Sequence, residues 1–163
     1  MHRLREVDPS FVERAPRRFV FETIIAVPPA VVWEEISAPP SSWPEWFPAV
    51  SKGGFDGEPP YGVGTRRWVR ASFTDFRETI VEWHDGRRFT YRIDEASRPL
   101  ARAMVERWTI EAAGTASTRV GWTMALEPRW LFRLGVPAPQ VSMRPIFRRA
   151  MRNLERKLSA SAG

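Results

Sequence analysis

The stretch that decides the fold is Val31–Val50, VVWEEISAPPSSWPEWFPAV, which holds three of the eight tryptophans and four prolines. Val31, Val32, Trp33 and Ile36 recur at helical spacing, which predicts a short helix with one apolar face. Pro28 and Pro29 suit its start, where a missing N–H is harmless, and Pro39-Pro40 close it. A second short helix is expected around Trp43–Trp46, with Ser41 or Ser42 as N-cap. Two short aromatic helices of this kind form a plug, and a plug caps something.

Upstream, Arg17–Val27 reads as a strand. Phe19, Phe21, Thr23 and Ile25 share one face, with Arg18, Val20 and Glu22 on the other. Residues 1–16 are polar, without a period, and read as an extended arm that packs on the domain or stays mobile. Downstream, Lys52-Gly53-Gly54 and Glu58-Pro59-Pro60 mark turns. Strands are expected near 64–73, 76–84, 88–95, 102–112 and 118–127, and their short connections suit an antiparallel meander.

The last helix is expected from about Pro139 to Leu158. Met143, Phe147, Ala150, Leu154 and Leu158 form its stripe, Ile146 and Met151 lie beside it, and arginines cover the remainder. Pro145 inside the pattern predicts a kink or a later start. The fold class is therefore α+β: a curved antiparallel sheet wrapped around a long C-terminal helix, with two short helices after the first strand. We expect one domain over residues 17–159, an N-terminal arm over 1–16 and a tail over 160–163.

Five pieces in order carry a resemblance: VWEEIS…WPEWFPAV, GVGTRRWVR (Gly62–Arg70), ETIVEWHDGRRFTYRI (Glu78–Ile93), STRVGWTMALEP (Ser117–Pro128) and RNLERKL (Arg152–Leu158). Together they resemble the START-like helix-grip (SRPBCC) superfamily, in its polyketide cyclase/dehydrase and lipid transport branch. The resemblance spans roughly residues 17–159. It implies a helix-grip fold and a small hydrophobic, lipid-like or polyketide-like ligand, bound for transport or sequestration. It equally admits a cyclase or dehydratase. Its signatures are packing and turn signatures, so no catalytic residue carries over from it.

Composition narrows the chemistry. The chain has no cysteine, which excludes disulfides, thiolate nucleophiles and cysteine-ligated metal. His2 and His84 are too distant to suggest a zinc site, and no cofactor or metal is expected. Gly62-Val63-Gly64 precedes a strand, so no helix N-terminus waits there for phosphate. No apolar run reaches membrane-spanning length, and MHRLREVDPS lacks an apolar signal core, so a cytoplasmic address is expected. Lys52 and Lys157 are the only lysines among 25 basic residues, a bias that fits a GC-rich genome.

The basicity is local. Arg129–Lys157 holds eight basic residues against the single acid Glu155, a local +7, so the rest of the chain carries −1 of the net +6. Trp130, Leu131 and Phe132 between Arg129 and Arg133 resemble an interfacial anchor, so weak contact with an anionic membrane is one reading. The other is a solvated helix face. No recognised motif accompanies the patch, which argues against nucleic acid.

Alternation gives the inward faces. They are Phe89, Tyr91 and Ile93; then Met104, Glu106, Trp108 and Ile110; then Val120, Trp122, Met124 and Leu126. Strand 76–84 stays open. A two-residue turn at Asp85-Gly86 pairs Glu82 with Phe89, Ile80 with Tyr91 and Glu78 with Ile93, placing Glu78 and Ile80 inside. A three-residue loop would place Thr79, Val81 and Trp83 inside instead.

The candidate ligand contacts are Phe21, Thr23, Glu78, Ile80, Tyr91, Glu106, Trp108, Trp122, Met124, Met143, Phe147 and Met151. Glu78 and Glu106 are the catalytic candidates, because an inward carboxylate needs a partner or a raised pKa. The alternative is that both pair with arginines near the sheet edge and serve structure alone. For Trp108, Trp122 and Phe147, plain core is the stronger reading than a ligand platform.

Overall fold

A computed structural model describes residues 1–129 and 139–160 of the chain. The strands are β1 (His2–Arg3), β2 (Arg17–Ile25), β3 (Val50–Phe55), β4 (Arg66–Ala71), β5 (Thr74–His84), β6 (Arg88–Ala96), β7 (Ala101–Ala112) and β8 (Thr118–Pro128). The helices are α1 (Phe11–Arg14), α2 (Pro29–Ile36) and α3 (Pro139–Ala160), with a short 3-10 helix at Trp43–Glu45. One antiparallel sheet runs β2-β8-β7-β6-β5-β4-β3, and α3 lies against its concave face with Phe147, Ala150, Met151, Leu154 and Leu158 buried. The fold is the helix grip that the resemblance implied. Pro145 lies inside α3, which neither ends nor begins there.

The arm packs on the domain. β6 pairs with β7 only over Arg88–Arg92, and beyond it β1 pairs His2 with Ala96 and Arg3 with Glu95. Helix α1 follows, where sequence periodicity predicted none. Its Phe11 and Val12 cover Ala103, Val105 and Ala125 on the outer face of the sheet, forming a second small core.

Lys52-Gly53-Gly54, expected as a turn, lies inside β3, which pairs with β4. A Cβ on Gly53 would sit 2.7 Å from the Pro40 side chain and 3.0 Å from the Trp68 carbonyl. The glycine is there so that the plug can approach the strand closely, a role that turn rules misread.

The β5–β6 hairpin reconciles the two register alternatives. Next to the turn, His84 pairs with Arg88 and Trp83 with Phe89, the three-residue pattern. A register shift between Ile80 and Glu82 then restores Ile80 opposite Tyr91 and Glu78 opposite Ile93. A bulge re-aims every residue on one side of it. So Trp83 packs inward against Trp33 (ring centroids 5.3 Å) and Phe89 (5.5 Å), while Ile80 and Glu78 also point inward. The expected pairing of Glu82 with Phe89 is replaced by Glu82 with Thr90.

The plug forms as expected, with Val32, Ile36, Trp43, Trp46 and Phe47 buried. Val31, expected on the apolar face, is exposed. Ser42 occupies the N-cap position of the 3-10 helix without a side-chain cap; its hydroxyl donates back to the Pro39 carbonyl. The plug is tied to α3. Lys157 Nζ donates to Glu35 at 2.8 Å and contacts Glu45 at 2.6 Å, and Asn153 donates to the Trp46 carbonyl.

A candidate ligand cavity with two unequal carboxylates

The sheet, plug and helix enclose a cavity of about 910 Å³. Its apolar wall includes Phe19, Phe47, Val69, Phe76, Leu100, Met104, Trp122, Met124, Leu126 and Met143. Arg17, Ser72 and Arg98 line it while remaining exposed, which marks its opening. Beside Ser72, Phe73 stands almost fully exposed at the β4–β5 turn, and both residues adopt left-handed backbone. Volume and lining suit a molecule of drug-like size.

Four polar side chains gather deeper in. Arg67 on β4 sits across the hairpin from Glu78 on β5, and its Nε donates to Glu78 Oε2 at 2.5 Å. Both side chains are sealed, at 1% and 5% exposure. The guanidinium carbon lies 3.7 Å from the centre of the Tyr91 ring and 4.9 Å from that of Trp43. Aromatic faces thus take up part of the charge that water would otherwise solvate. Arg67 Nη2, Trp43 Nε1 and Trp108 Nε1 are buried without a hydrogen-bond partner among the described residues.

Glu106 on β7 lies opposite Tyr91 on β6. Its Oε2 accepts from the Tyr91 hydroxyl at 2.5 Å and from Trp122 Nε1 at 3.0 Å. Burial drives its carboxyl up to about 7, and the Glu78 charge adds to this against the opposing pull of Tyr91, Trp122 and Arg67. Burial also pushes the Glu78 carboxyl up, but Arg67 offsets part of that. The Tyr91 hydroxyl is pushed well above its usual range by burial and by the Glu106 charge.

Of the twelve residues expected at the site, Glu78, Tyr91, Glu106, Trp122, Met124 and Met143 line this cavity. The other six lie outside its wall. Phe21 packs on Trp122 and Phe147 at 5.4 and 5.7 Å, and Trp108 stacks on Trp122 at 5.6 Å. Ile80, Phe147 and Met151 are buried core, and Thr23 is half-buried on β2. Sequence reading missed Arg67. The available signal was its place two residues before Val69 on one strand face, across a hairpin from an inward Glu78. Among the described residues no cluster of three or more metal-ligating side chains occurs. Trp130–Arg133, read as an interfacial anchor, lie outside the described residues, and no described helix is long and apolar enough to cross a membrane.

A cavity walled by a curved sheet and gripped by one helix makes this a helix-grip protein, with the fold of the START-like proteins it resembles. Its family is polyketide cyclase / dehydrase and lipid transport, whose model matches residues 16–159; the chain belongs to it. Uncharacterized proteins of Mycobacterium tuberculosis and Mycobacterium bovis are 28% identical over 162 residues, covering 98% of this chain and 95% of each relative. Among solved structures, ginseng major latex-like protein 151 from Panax ginseng is similar at TM-score 0.71 and 17% identity, covering 86% of this chain and 96% of that one. A START superfamily protein from Mycobacterium smegmatis gives 0.67 and 13%, covering 88% and 97%. At such identities the likeness speaks for the fold alone.

Proposed function

We propose that the protein binds a small hydrophobic ligand in this cavity, for transport or sequestration. The observation that carries the reading is the cavity itself: about 910 Å³ left open where the same sheet elsewhere packs tryptophan on tryptophan. A chain able to fill its core so densely has kept this space. The family supports the same reading. Trp122 and Trp43 line the wall, so binding should quench tryptophan fluorescence. Titration with a panel of polycyclic and lipid-like probes should show saturable, one-to-one quenching. Folded protein that binds none of a broad apolar panel would sink the reading.

A catalytic reading has one observation in its favour. Glu106 titrates near neutrality beside the cavity, where a general acid or base works best. Cyclase or dehydratase turnover would run through Glu106, while Glu78 is committed to Arg67. Loss of turnover of an aromatic polyketide intermediate in Glu106→Gln, against wild type, is its test.

Docking to an anionic membrane is favoured by Arg144, Arg148, Arg149, Arg152 and Arg156, which are exposed on α3. Cosedimentation with anionic vesicles that survives high salt unchanged would rule out an electrostatic dock.

A further inference from the structure

The two inward carboxylates are not equivalent. Glu78 is sealed and bonded to Arg67, whereas Glu106 keeps accessible surface within the cavity. Both protein donors on Glu106 end on the same oxygen, Oε2. An oxygen that accepts two hydrogen bonds plays the carbonyl part of a neutral acid, so the acid proton belongs on Oε1. Oε1 has no protein partner among the described residues and is not among their sealed, unsatisfied atoms. In the neutral acid that proton is left for a partner on the cavity side.

The surroundings favour that neutral form. The charged or titratable groups facing Glu106 are Arg67 from β4, Glu78 from β5 and Tyr91 from β6, with Arg17 from β2 and Arg98 from the β6–β7 connection further out at the opening. From β8 come Trp122 and Met124, from the plug Trp43 and Phe47, and from α3 Met143; none of these titrates. Arg67 is already paired with Glu78, so an ionised Glu106 would share that one cation with a second carboxylate.

We propose that Glu106 donates its carboxylic proton from Oε1 to an acceptor oxygen of the ligand, so that the cavity selects apolar molecules bearing a carbonyl. This rests on the cavity being the ligand site. The proton is shared, not transferred, and no bond is broken. Because only the protonated form offers the donor, affinity for a carbonyl ligand falls as pH rises through about 7. Binding above that pH takes up a proton from solution.

Fluorenone and fluorene test this, since they share a skeleton and differ by a ketone. At about pH 6 wild type should bind fluorenone roughly fivefold tighter than fluorene. Between about pH 6 and pH 8 the fluorenone affinity should fall roughly fourfold, and most of the preference over fluorene should vanish. Glu106→Gln keeps an N–H donor at every pH, so its ketone preference should persist at both. Equal binding of the two probes at pH 6, or a ketone preference that wild type retains unchanged at pH 8, overturns the proposal while leaving the cavity reading intact. If neither probe binds folded protein, the cavity reading falls and this proposal with it. Should Glu106→Gln fail to fold, the wild-type ratio across pH decides alone.

Discussion

One concave sheet is solid at one end and hollow at the other. At the plug end, Trp43, Trp46, Phe47, Trp108 and Trp122 form a continuous aromatic stack with centroid distances of 5.4–6.1 Å. Phe147 of α3 packs on Trp108 and Trp122 at 6.5 and 6.2 Å, and Leu154 and Leu158 further along the helix are buried. At the other end, Phe19, Phe76, Met124 and Leu126 face space. The difference teaches where stability and function separate. Dense packing of the plug end fixes the curvature, and the cavity can then stay open.

The largest expected effect comes from emptying the solid end. Trp108→Ala removes a fully buried indole from the middle of the stack and should cost about 3–5 kcal/mol in denaturant unfolding. Met124→Ala at the hollow end removes a side chain that is only half-buried and should cost about 1 kcal/mol or less. Equal losses at the two positions would mean that the cavity wall carries as much of the fold as the stack does.

A second prediction concerns the boundary between the two ends, where Glu106 sits. Its folded carboxyl lies near 7, above the ordinary 4.5, so the unfolded chain releases this proton first as pH rises. The stability that neutral Glu106 contributes is therefore complete below about 4.5 and is lost as pH rises to about 7. Its size is about 3 kcal/mol, an order of magnitude set by 1.36 kcal/mol per pH unit. Glu106→Gln should flatten that part of the profile and become the more stable variant at pH 8. Wild-type and Gln profiles that run parallel from pH 4.5 to 8 would show that burial of Glu106 is relieved by water from the opening.

The solid end was the more legible in sequence. Tryptophan and proline at Trp33, Pro39, Trp43 and Trp46 leave few conformations, and alternation placed Phe89, Tyr91, Trp108 and Trp122 inward. The rest was less legible because local irregularities shape it. The bulge between Ile80 and Glu82 cannot be read from alternation, since each register looks right for half of the strand. Gly53 reads as a turn because its reason for being glycine is a proline far along the chain. Arg67 was hidden for a related reason: a buried arginine breaks the rule that charges face water, and only its carboxylate and ring partners explain it. The arm helix was missed because Phe11 and Val12 make a single apolar pair, too short to show a period.

The smallest effect expected is at the clasp between the solid end and the basic helix. Lys157 bridges Glu35 and Glu45, and Glu35 also accepts from Trp46 Nε1 at 3.1 Å. Partly exposed ion pairs contribute little, so Lys157→Ala should lower global stability by only about 0.5–1 kcal/mol. Its local effect should be larger than that figure suggests, because the bridge joins two carboxylates of the plug to the last turns of α3. Amide exchange in α2 and the 3-10 helix should quicken while exchange in β7 and β8 stays unchanged, the sign of a local opening. Exchange that quickens equally across the sheet would mean that plug and sheet open together, and that the solid end is one cooperative unit with no separable lid.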